Sequence, residues 1–229
     1  MDMEQKVMAL AEEQKLTPFD ELLHQLRNIK TDRAIVAIAG PPGGGKSTFS
    51  KKLSDALNDG NASYAAVVPM DGFHYDNCVL EEKGLINRKG SPPTFDVGGF
   101  KILLKRLKAN QESEIAVPVF DRELELSRAA ARIVPQSVRI IIAEGNYLLL
   151  DESPWSSLKT FFDCSVFILE DRTVLAKRLM SRWGSYGFSQ ADALSKVQNN
   201  DLPNVDIVNS RSTKADLYVT GPAAELSSN

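Results

Sequence analysis

The sequence predicts an α/β fold of three layers, in which a mostly parallel central sheet is covered by helices on both faces. Short apolar runs rich in β-branched residues recur along the chain, and segments with the apolar spacing of a helix separate most of them. With 229 residues, the chain is long enough for one well-buried domain, and it shows no linker or internal repeat. We therefore expect residues 1–229 to form a single domain.

The predicted elements begin with an N-terminal helical extension over residues 1–30, where apolar residues recur at steps of three and four and Thr17-Pro18 interrupts them. Strands are predicted at 34–39, 65–69, 115–119, 138–143, 164–169 and 217–219. Helices are predicted at 47–58, 99–110, 155–162, 173–183 and 190–199. The two longest interruptions, 76–96 and 120–135, are predicted to be functional loops within the same domain.

The composition favours small molecules as partners. The chain is 43% hydrophobic and 25% charged, with a formal net charge of -3 at pH 7, whereas nucleic-acid-binding proteins usually carry a basic domain. No apolar run approaches the ~20 residues of a membrane span, and the first residues are too polar for a signal peptide. We expect a cytoplasmic protein with no nucleic-acid or membrane partner. Cys78 and Cys164 lie far apart and are expected to be reduced thiols.

Residues 40–47 read Gly-Pro-Pro-Gly-Gly-Gly-Lys-Ser and fit the phosphate-binding pattern G-x-x-x-x-G-K-[ST], the Walker A motif or P-loop. A predicted buried strand precedes them and a predicted helix follows, as the motif requires. Glycines let successive N–H groups turn towards a β-phosphate, and the helix N-terminus adds a partial positive charge. The residues predicted to hold the nucleotide are Gly40, Pro41, Pro42, Gly43, Gly44, Gly45, Lys46, Ser47 and Thr48.

Within this loop, Lys46 is predicted to bridge the β- and γ-phosphates, and the Ser47 hydroxyl to ligate Mg²⁺. Two other predicted strands end in carboxylates. Asp71 follows 65–69 and is placed to accept the proton of an attacking hydroxyl, while Glu144 follows 138–143 and resembles a Walker B acid that holds Mg²⁺. The sequence thus predicts a P-loop NTPase fold with Mg²⁺, and leaves open whether Asp71 or Glu144 lies nearer the metal.

A GTPase is the less favoured interpretation. The stretch 96–99, Asp-Val-Gly-Gly, matches D-x-x-G, but no apolar strand precedes it and no N-K-x-D segment for reading guanine occurs in the chain. Asp96 is therefore predicted to cap the following helix. An L-S-G-G-Q-like stretch, which would indicate a transporter ATPase, is also absent from the sequence.

Five short segments together carry a family resemblance. They are the P-loop at 40–47, Met-Asp-Gly-Phe-His at 70–74, Arg-Lys-Gly-Ser-Pro-Pro-Thr-Phe-Asp at 88–96, Pro-Val-Phe-Asp-Arg at 118–122 and Glu-Gly-Asn-Tyr at 144–147. In this order they resemble the uridine kinase, pantothenate kinase and phosphoribulokinase group of P-loop kinases. Within that group the chain is most similar to a bacterial branch labelled "putative fructose-transport-system kinase", and the resemblance runs from about Ala34 to Val219.

The resemblance implies an ATP-dependent transfer of the γ-phosphoryl group to a hydroxyl of a small metabolite: a sugar, a nucleoside or a pantothenate-like acid. Asp71 would be the base, Glu144 the Mg²⁺ acid, and Asp121 and Arg128 acceptor-side residues. Nucleoside kinases of this group carry Y-D-x-x-x-H-S-R. Here residues 120–128 contain no histidine and one residue more, which argues against uridine or cytidine as the acceptor.

Further acceptor contacts are predicted for His74 and Tyr75, just beyond Asp71, and for Arg88 and Asn146 in the matching segments. A lid is predicted at about 172–200, where Arg178 and Arg182 lie four residues apart on one helix face and can reach the transferred phosphoryl group.

Near the end of the chain, Arg211 lies in a segment that resembles the family's loop beside the adenine, and it is predicted to stack on the base. The segment 199–204, Asn-Asn-Asp-Leu-Pro-Asn, is typical of the bacterial branch, and we predict for it only a helix end and a turn. The alternative function is a nucleotide-binding regulatory switch with weak or no transfer activity. A homodimer is left open.

Overall fold

The computed structural model describes residues 16–60 and 63–221, in which seven strands occur. They are β1 (Ala34–Ala39), β2 (Ala65–Pro69), β3 (Glu114–Asp121), β4 (Leu126–Pro135), β5 (Ile140–Gly145), β6 (Cys164–Leu169) and β7 (Leu217–Thr220). Five of them form one parallel sheet in the order β2-β5-β1-β6-β7. The predicted parallel α/β sheet is confirmed.

The same residues form seven α-helices. They are α1 (Phe19–Arg27), α2 (Lys46–Leu57), α3 (Asn77–Glu82), α4 (Val97–Ala109), α5 (Arg172–Ser185), α6 (Gln190–Lys196) and α7 (Leu202–Arg211). One π-helical turn, Val197–Asp201, joins α6 to α7, and short 3₁₀ helices occur at Met70–Phe73, Ile86–Arg88, Pro92–Thr94 and Trp155–Phe161. None of the helices described is long and apolar enough to cross a membrane.

The sheet is buried on both faces. Alternate residues of a strand point to opposite faces, so β1 contributes Ile35 to one apolar layer and Val36 to the other. The first layer includes Leu104 of α4, and the second includes Leu22 of α1 and Leu53 of α2. These helices on both faces complete the three-layer architecture. Within the predicted N-terminal extension the structure has the helix α1, and the first part of the extension lies outside the described residues.

The strand predicted at 115–119 does form, but it lies outside the main sheet. It belongs to β3, which pairs antiparallel with β4 in a separate two-stranded hairpin. The prediction of 120–135 as a loop was therefore wrong for 126–135. The side chains of β4 are mostly exposed, so the sequence lacks the alternation of apolar and polar residues that predicts a strand. Segment 126–135 is a strand because it pairs with β3.

The hairpin packs closely on the 3₁₀ turn Met70–Phe73 that carries Asp71. A Cβ atom added to Gly72 would lie 2.4 Å from the carbonyl oxygen of Pro118 in β3. Only glycine allows the two backbones to approach this closely, since a carbon so near a carbonyl oxygen would force them apart. Gly72 thus fixes the hairpin against the turn that positions Asp71.

We expect Gly72→Ala to lower the free energy of unfolding by roughly 1–3 kcal/mol, because the added methyl group has no room beside Pro118. Urea unfolding measures the change. Gly98→Ala in α4 is the matched control, because the nearest atom to its added Cβ, Asp96 Oδ1, is at an ordinary 3.5 Å. Equal effects from the two substitutions would contradict the packing argument.

Candidate active site

The carboxyl ends of three neighbouring strands bring the predicted site together. Strand β5 lies between β2 and β1, and Glu144 near its end is in register with Pro69 of β2 and Ile38 of β1. Asp71 follows β2 by two residues and the P-loop follows β1. Ligands bind at this edge of open α/β sheets, and here the edge carries both carboxylates and the phosphate loop.

The P-loop encloses the side chain of Lys46. Gly45 precedes α2 with a φ of 83°, a left-handed conformation that favours glycine and turns the chain into the helix. The Lys46 ammonium donates a hydrogen bond to the carbonyl of Pro41 at 3.0 Å, and the residue is only 9% exposed. Burial lowers the pKa of Lys46 to about 8, although Glu144 and Asp71 act in the opposite direction. Lys46 is thus a buried cation inside a loop shaped for phosphates.

Glu144 contacts the first turn of α2. The Ser47 hydroxyl donates a hydrogen bond to Glu144 Oε1 at 3.1 Å. Burial raises the pKa of Glu144, and the nearby charge of Asp71 raises it further, against the effects of Lys46 and Ser47. The two carboxylates therefore lie close enough to repel each other, an arrangement that a cation or a shared proton stabilises.

These oxygens fit a magnesium ion. Mg²⁺ prefers oxygen ligands and in phosphoryl-transfer sites takes only one or two from the protein, with water and phosphate supplying the rest. The Ser47 hydroxyl and the Glu144 carboxylate are such a pair. Within residues 16–60 and 63–221 there is no group of three or more His, Cys, Asp or Glu residues that would bind a metal by themselves, which agrees with a site completed by phosphates.

Asp71 has a partner that the sequence did not predict. Its Oδ2 accepts a hydrogen bond from Arg122 Nη2 at 2.9 Å, and Arg122 directly follows β3 in the turn of the hairpin. Burial would lower the pKa of Arg122, but Asp71, Tyr186 and Glu144 outweigh it and the pKa is raised. Arg122 stood in one of the segments that carry the family resemblance, and that position was the only sequence signal for it.

His74 is packed rather than free. Its Nδ1 lies 2.8 Å from the carbonyl oxygen of Asp71, and its ring lies 4.1 Å from that of Phe95 and 4.7 Å from that of Phe120. Burial lowers its pKa, so the neutral form is favoured. Tyr75 follows, with its amide bonded to the carbonyl of Thr94. His74 therefore lies beside Asp71, and acceptor contacts by His74 and Tyr75 stay predictions.

The remaining predicted acceptor residues lie on two elements. Asp121 and Arg128 form an ion pair of 3.2 Å across the hairpin, so they brace each other. Arg88 donates a hydrogen bond to the carbonyl of Asn199 at 2.9 Å and forms no ion pair within the part of the chain that the structure describes. Asn146 directly follows β5 and is half-buried. Their roles at an acceptor remain predictions.

The predicted lid lies over the P-loop. Arg178 of α5 donates to the carbonyl of Gly43 at 3.0 Å and to Glu170 at 2.7 Å. Arg182, one turn later, lies 3.6 Å from Asp201 and close enough to Lys46 to affect its pKa. The structure thus brings both arginines to the phosphate side.

A crevice is lined in part by residues 209–214, the segment that was predicted to lie beside the adenine. Its lining residues are Phe167, Leu169, Glu170, Asn209, Ser212, Thr213, Lys214 and Tyr218. Arg211 is not among them, because its guanidinium pairs with Glu152 at 2.7 Å. Stacking of Arg211 on a base stays a prediction, and Thr48 lies exposed on the first turn of α2.

Residues 35–221 match the model of the Phosphoribulokinase / Uridine kinase family. The chain belongs to this family. It is 35% identical over 203 residues to the uncharacterized protein YggC of Escherichia coli, covering 86% of this chain and 84% of that one. It is also 31% identical over 153 residues to a pantothenate kinase of Enterococcus faecalis, covering 66% of this chain and 50% of the relative.

Among solved structures, a protein from Silicibacter sp. described as a "putative fructose transport system kinase" is 36% identical, with a TM-score of 0.78. The match covers 95% of this chain and 98% of that one. The predicted family resemblance and the P-loop kinase fold are confirmed. Membership of this kinase family supports an ATP-dependent kinase acting on small molecules.

In this family member, we expect ATP to bind with uptake of a proton above pH 8. Burial depresses the Lys46 pKa to about 8, and triphosphate beside the ammonium would raise it. Uptake should be roughly 0.7 proton per ATP at pH 8.5 and about 0.1 at pH 7. Calorimetry in two buffers of different ionisation enthalpy measures it.

The matched control is Lys51→Met, on the same helix but at a side chain that is 77% exposed, and it should leave the uptake unchanged. ATP binding without proton uptake at pH 8.5 would contradict the combination of a lowered Lys46 pKa and a contact between its ammonium and the phosphates.

Proposed function

We propose that this protein transfers the γ-phosphoryl group of ATP to a hydroxyl of a small metabolite, with Asp71 as the base. The observation that carries the proposal is the convergence of Asp71 and Glu144 on the buried Lys46, whose pKa both carboxylates influence. A phosphate loop alone only binds nucleotide. A second carboxylate beside the metal acid supplies the base that phosphoryl transfer to a hydroxyl uses.

In the proposed reaction, the acceptor oxygen forms a bond to the γ-phosphorus, and the bond from that phosphorus to the β–γ bridging oxygen breaks. The proton of the acceptor hydroxyl passes to Asp71, and ADP is the leaving group. Arg122 already holds Asp71 Oδ2, so we assign Oδ1 to the acceptor hydroxyl. The hydrogen bond from Arg122 would keep the carboxylate oriented during the transfer.

The remaining roles follow from position. Lys46 and the loop amides hold the phosphates, and Arg178 and Arg182 neutralise charge on the transferred group. Ser47 and Glu144 would hold Mg²⁺, which neutralises the β- and γ-phosphate oxygens when bound. Because Lys46, Ser47 and Glu144 come from the first turn of α2 and from β5, little reorganisation of these three groups is needed at the moment of reaction.

One arginine on the acceptor side, Arg88, favours an acceptor that carries an anionic group, because the neighbouring cations are already paired. Three of them pair with carboxylates: Arg122 with Asp71, Arg128 with Asp121, and Lys89 with Glu125. Arg88 bonds only to a backbone carbonyl among the contacts described. A guanidinium without a carboxylate partner is well suited to bind a carboxylate or phosphate through two parallel hydrogen bonds, a bidentate contact. An acid or a sugar phosphate therefore fits better than a neutral nucleoside.

We expect Asp71→Asn to lower phosphoryl transfer by roughly 10²–10⁴-fold, since the amide cannot accept the acceptor proton. ATP affinity should stay within about threefold, because Asp71 lies outside the P-loop. The assay is ADP release over a panel of sugars, sugar acids, sugar phosphates, nucleosides and pantothenate-like acids, with calorimetry for ATP binding.

Asp76→Asn is the matched control, because this exposed carboxylate only caps α3. Full transfer activity in Asp71→Asn would refute its role as base. If no acceptor in the panel exceeds the acceptor-free background, while ATP still binds, the regulatory switch becomes the better description.

For whichever acceptor is active, we expect Arg88→Gln to raise its KM by at least about 10-fold and to leave the KM for ATP unchanged, because only the acceptor's anionic group would lose a partner. Arg106→Gln, at a half-exposed surface pair with Glu112, is the control. An unchanged KM for the acceptor would contradict the assignment of Arg88 to the acceptor.

A further inference from the structure

The segment 199–204 includes part of a π-helical turn to which the proposed reaction assigns no role. Its first half belongs to the π-helical turn Val197–Asp201, and α7 begins at Leu202. Turns of this kind are rare and often occur at functional sites, because the extra residue redirects the side chains around it. Asp201 lies at the end of this turn and is 6% exposed.

Asp201 joins two side chains of α5. Its Oδ2 accepts a hydrogen bond of 2.6 Å from the indole Nε1 of Trp183, and its Oδ1 lies 3.6 Å from Arg182 Nη2. The indole ring is held in turn by Phe188, at 5.0 Å between ring centroids, and by the ammonium of Lys196. The carboxylate is therefore fixed at one oxygen and faces a guanidinium with the other.

The charge of this carboxylate is costly to bury. Burial raises its pKa, while the Trp183 hydrogen bond and the charges of Arg182 and Lys196 lower it. A buried carboxylate is stable only when a charged or hydrogen-bonding partner compensates for its loss of water. Arg182 is such a partner: its Nη2 lies 3.6 Å from Asp201 Oδ1, which is an ion pair but too long for a hydrogen bond.

Arg182 has hydrogen-bonding capacity to spare. Its Nε is buried and has no partner, and the guanidinium lies 5.6 Å from the centre of the Trp183 ring. The same arginine is close enough to Lys46 to lower its pKa. The Arg182 side chain is 33% exposed, so its other guanidinium donors are available to an incoming phosphoryl oxygen.

We propose that Asp201 is a positioning residue that holds Arg182 for contact with the transferred phosphoryl group. The inference rests on the proposed function, since it assigns a partner to one of its arginines. A fixed anion behind an arginine reduces the number of rotamers that the guanidinium samples, so its donors are already aimed before the γ-phosphoryl group moves.

The same turn also contacts the acceptor side. The carbonyl of Asn199 accepts the hydrogen bond from Arg88, and the Asn200 amide donates to the carbonyl of Lys89 at 2.9 Å. Neighbouring residues of a helix point about 100° apart, so Asn200 and Asp201 can contact different parts of the site. One turn thereby supports the acceptor loop on one side and Arg182 on the other.

The test is Asp201→Asn, which keeps an oxygen for the indole and nearly the same volume but removes the charge. Calorimetry compares the affinity for magnesium-ADP with that for magnesium-ADP plus fluoroaluminate, which mimics the transferred phosphoryl group. We expect the gain from fluoroaluminate to fall about 10-fold while ADP affinity stays within about twofold. This readout needs no identified acceptor.

Asp206→Asn is the matched control, because Asp206 also joins α7 to an α5 arginine, Arg172, but at the surface. It should leave the fluoroaluminate gain unchanged. Trp183→Phe is a second variant, which keeps a smaller aromatic ring and removes the donor that orients Asp201. It should reduce the gain several-fold and covers the case in which Asp201→Asn does not fold.

A wild-type gain in both Asp201→Asn and Trp183→Phe would overturn the proposal. So would equal losses of affinity for ADP and for the fluoroaluminate complex, which indicate a merely structural role. If the wild-type protein gains nothing from fluoroaluminate, the positioning role fails, whereas the proposed phosphoryl transfer is tested separately by ADP release over the acceptor panel.

Discussion

The parallel register of β2, β5 and β1 is the constraint on which the site depends. Glu144 pairs with Ile38 on one side and Pro69 on the other, so Ser47 and Asp71 both arrive beside it. A slip of one residue would turn Glu144 to the opposite face of the sheet, because side chains alternate along a strand. The apolar residues before Glu144 are buried on both faces, so such a slip would force both apolar layers to repack. Core packing thereby sets the position of the chemistry.

Arginines near this edge of the sheet are paired with carboxylates. Each of three arginines near the phosphate site pairs with a carboxylate that lies outside its own helix or turn: Arg178 with Glu170, Arg182 with Asp201, and Arg122 with Asp71. An arginine retains several donors after one carboxylate binds it, so each can still face a phosphate oxygen. The pairing offsets part of the cost of burying like charges together. The acids thus keep the arginines in place when no nucleotide is bound.

The sequence predicted the centre of the site because each of its parts follows a buried strand. Asp71 and Glu144 could be recognised from apolar runs that end in an acid, and the P-loop from its pattern and context. The pairings of Arg122, Glu170 and Asp201 were not predicted, because none of them follows a helical or strand period. Arg122 bonds Asp71 across 51 residues, Asp201 bonds Trp183 across 18, and Glu170 bonds Arg178 across eight. The helix α7 was missed for a local reason: Pro203 looked like part of a turn but occupies the first turn of the helix, where proline is tolerated.

The acceptor side depends on contacts of another kind. The hairpin is held by the close approach of Gly72 to Pro118, and the Arg88 loop by Asn199, which is 111 residues away. Neither contact leaves a periodic pattern in the sequence, because each joins exposed or irregular segments. The phosphate side rests on the sheet, whereas the acceptor side rests on these peripheral contacts. The acceptor can therefore differ between relatives while the β2-β5-β1 edge stays the same, which explains why sequence motifs alone indicate phosphoryl transfer more readily than its substrate.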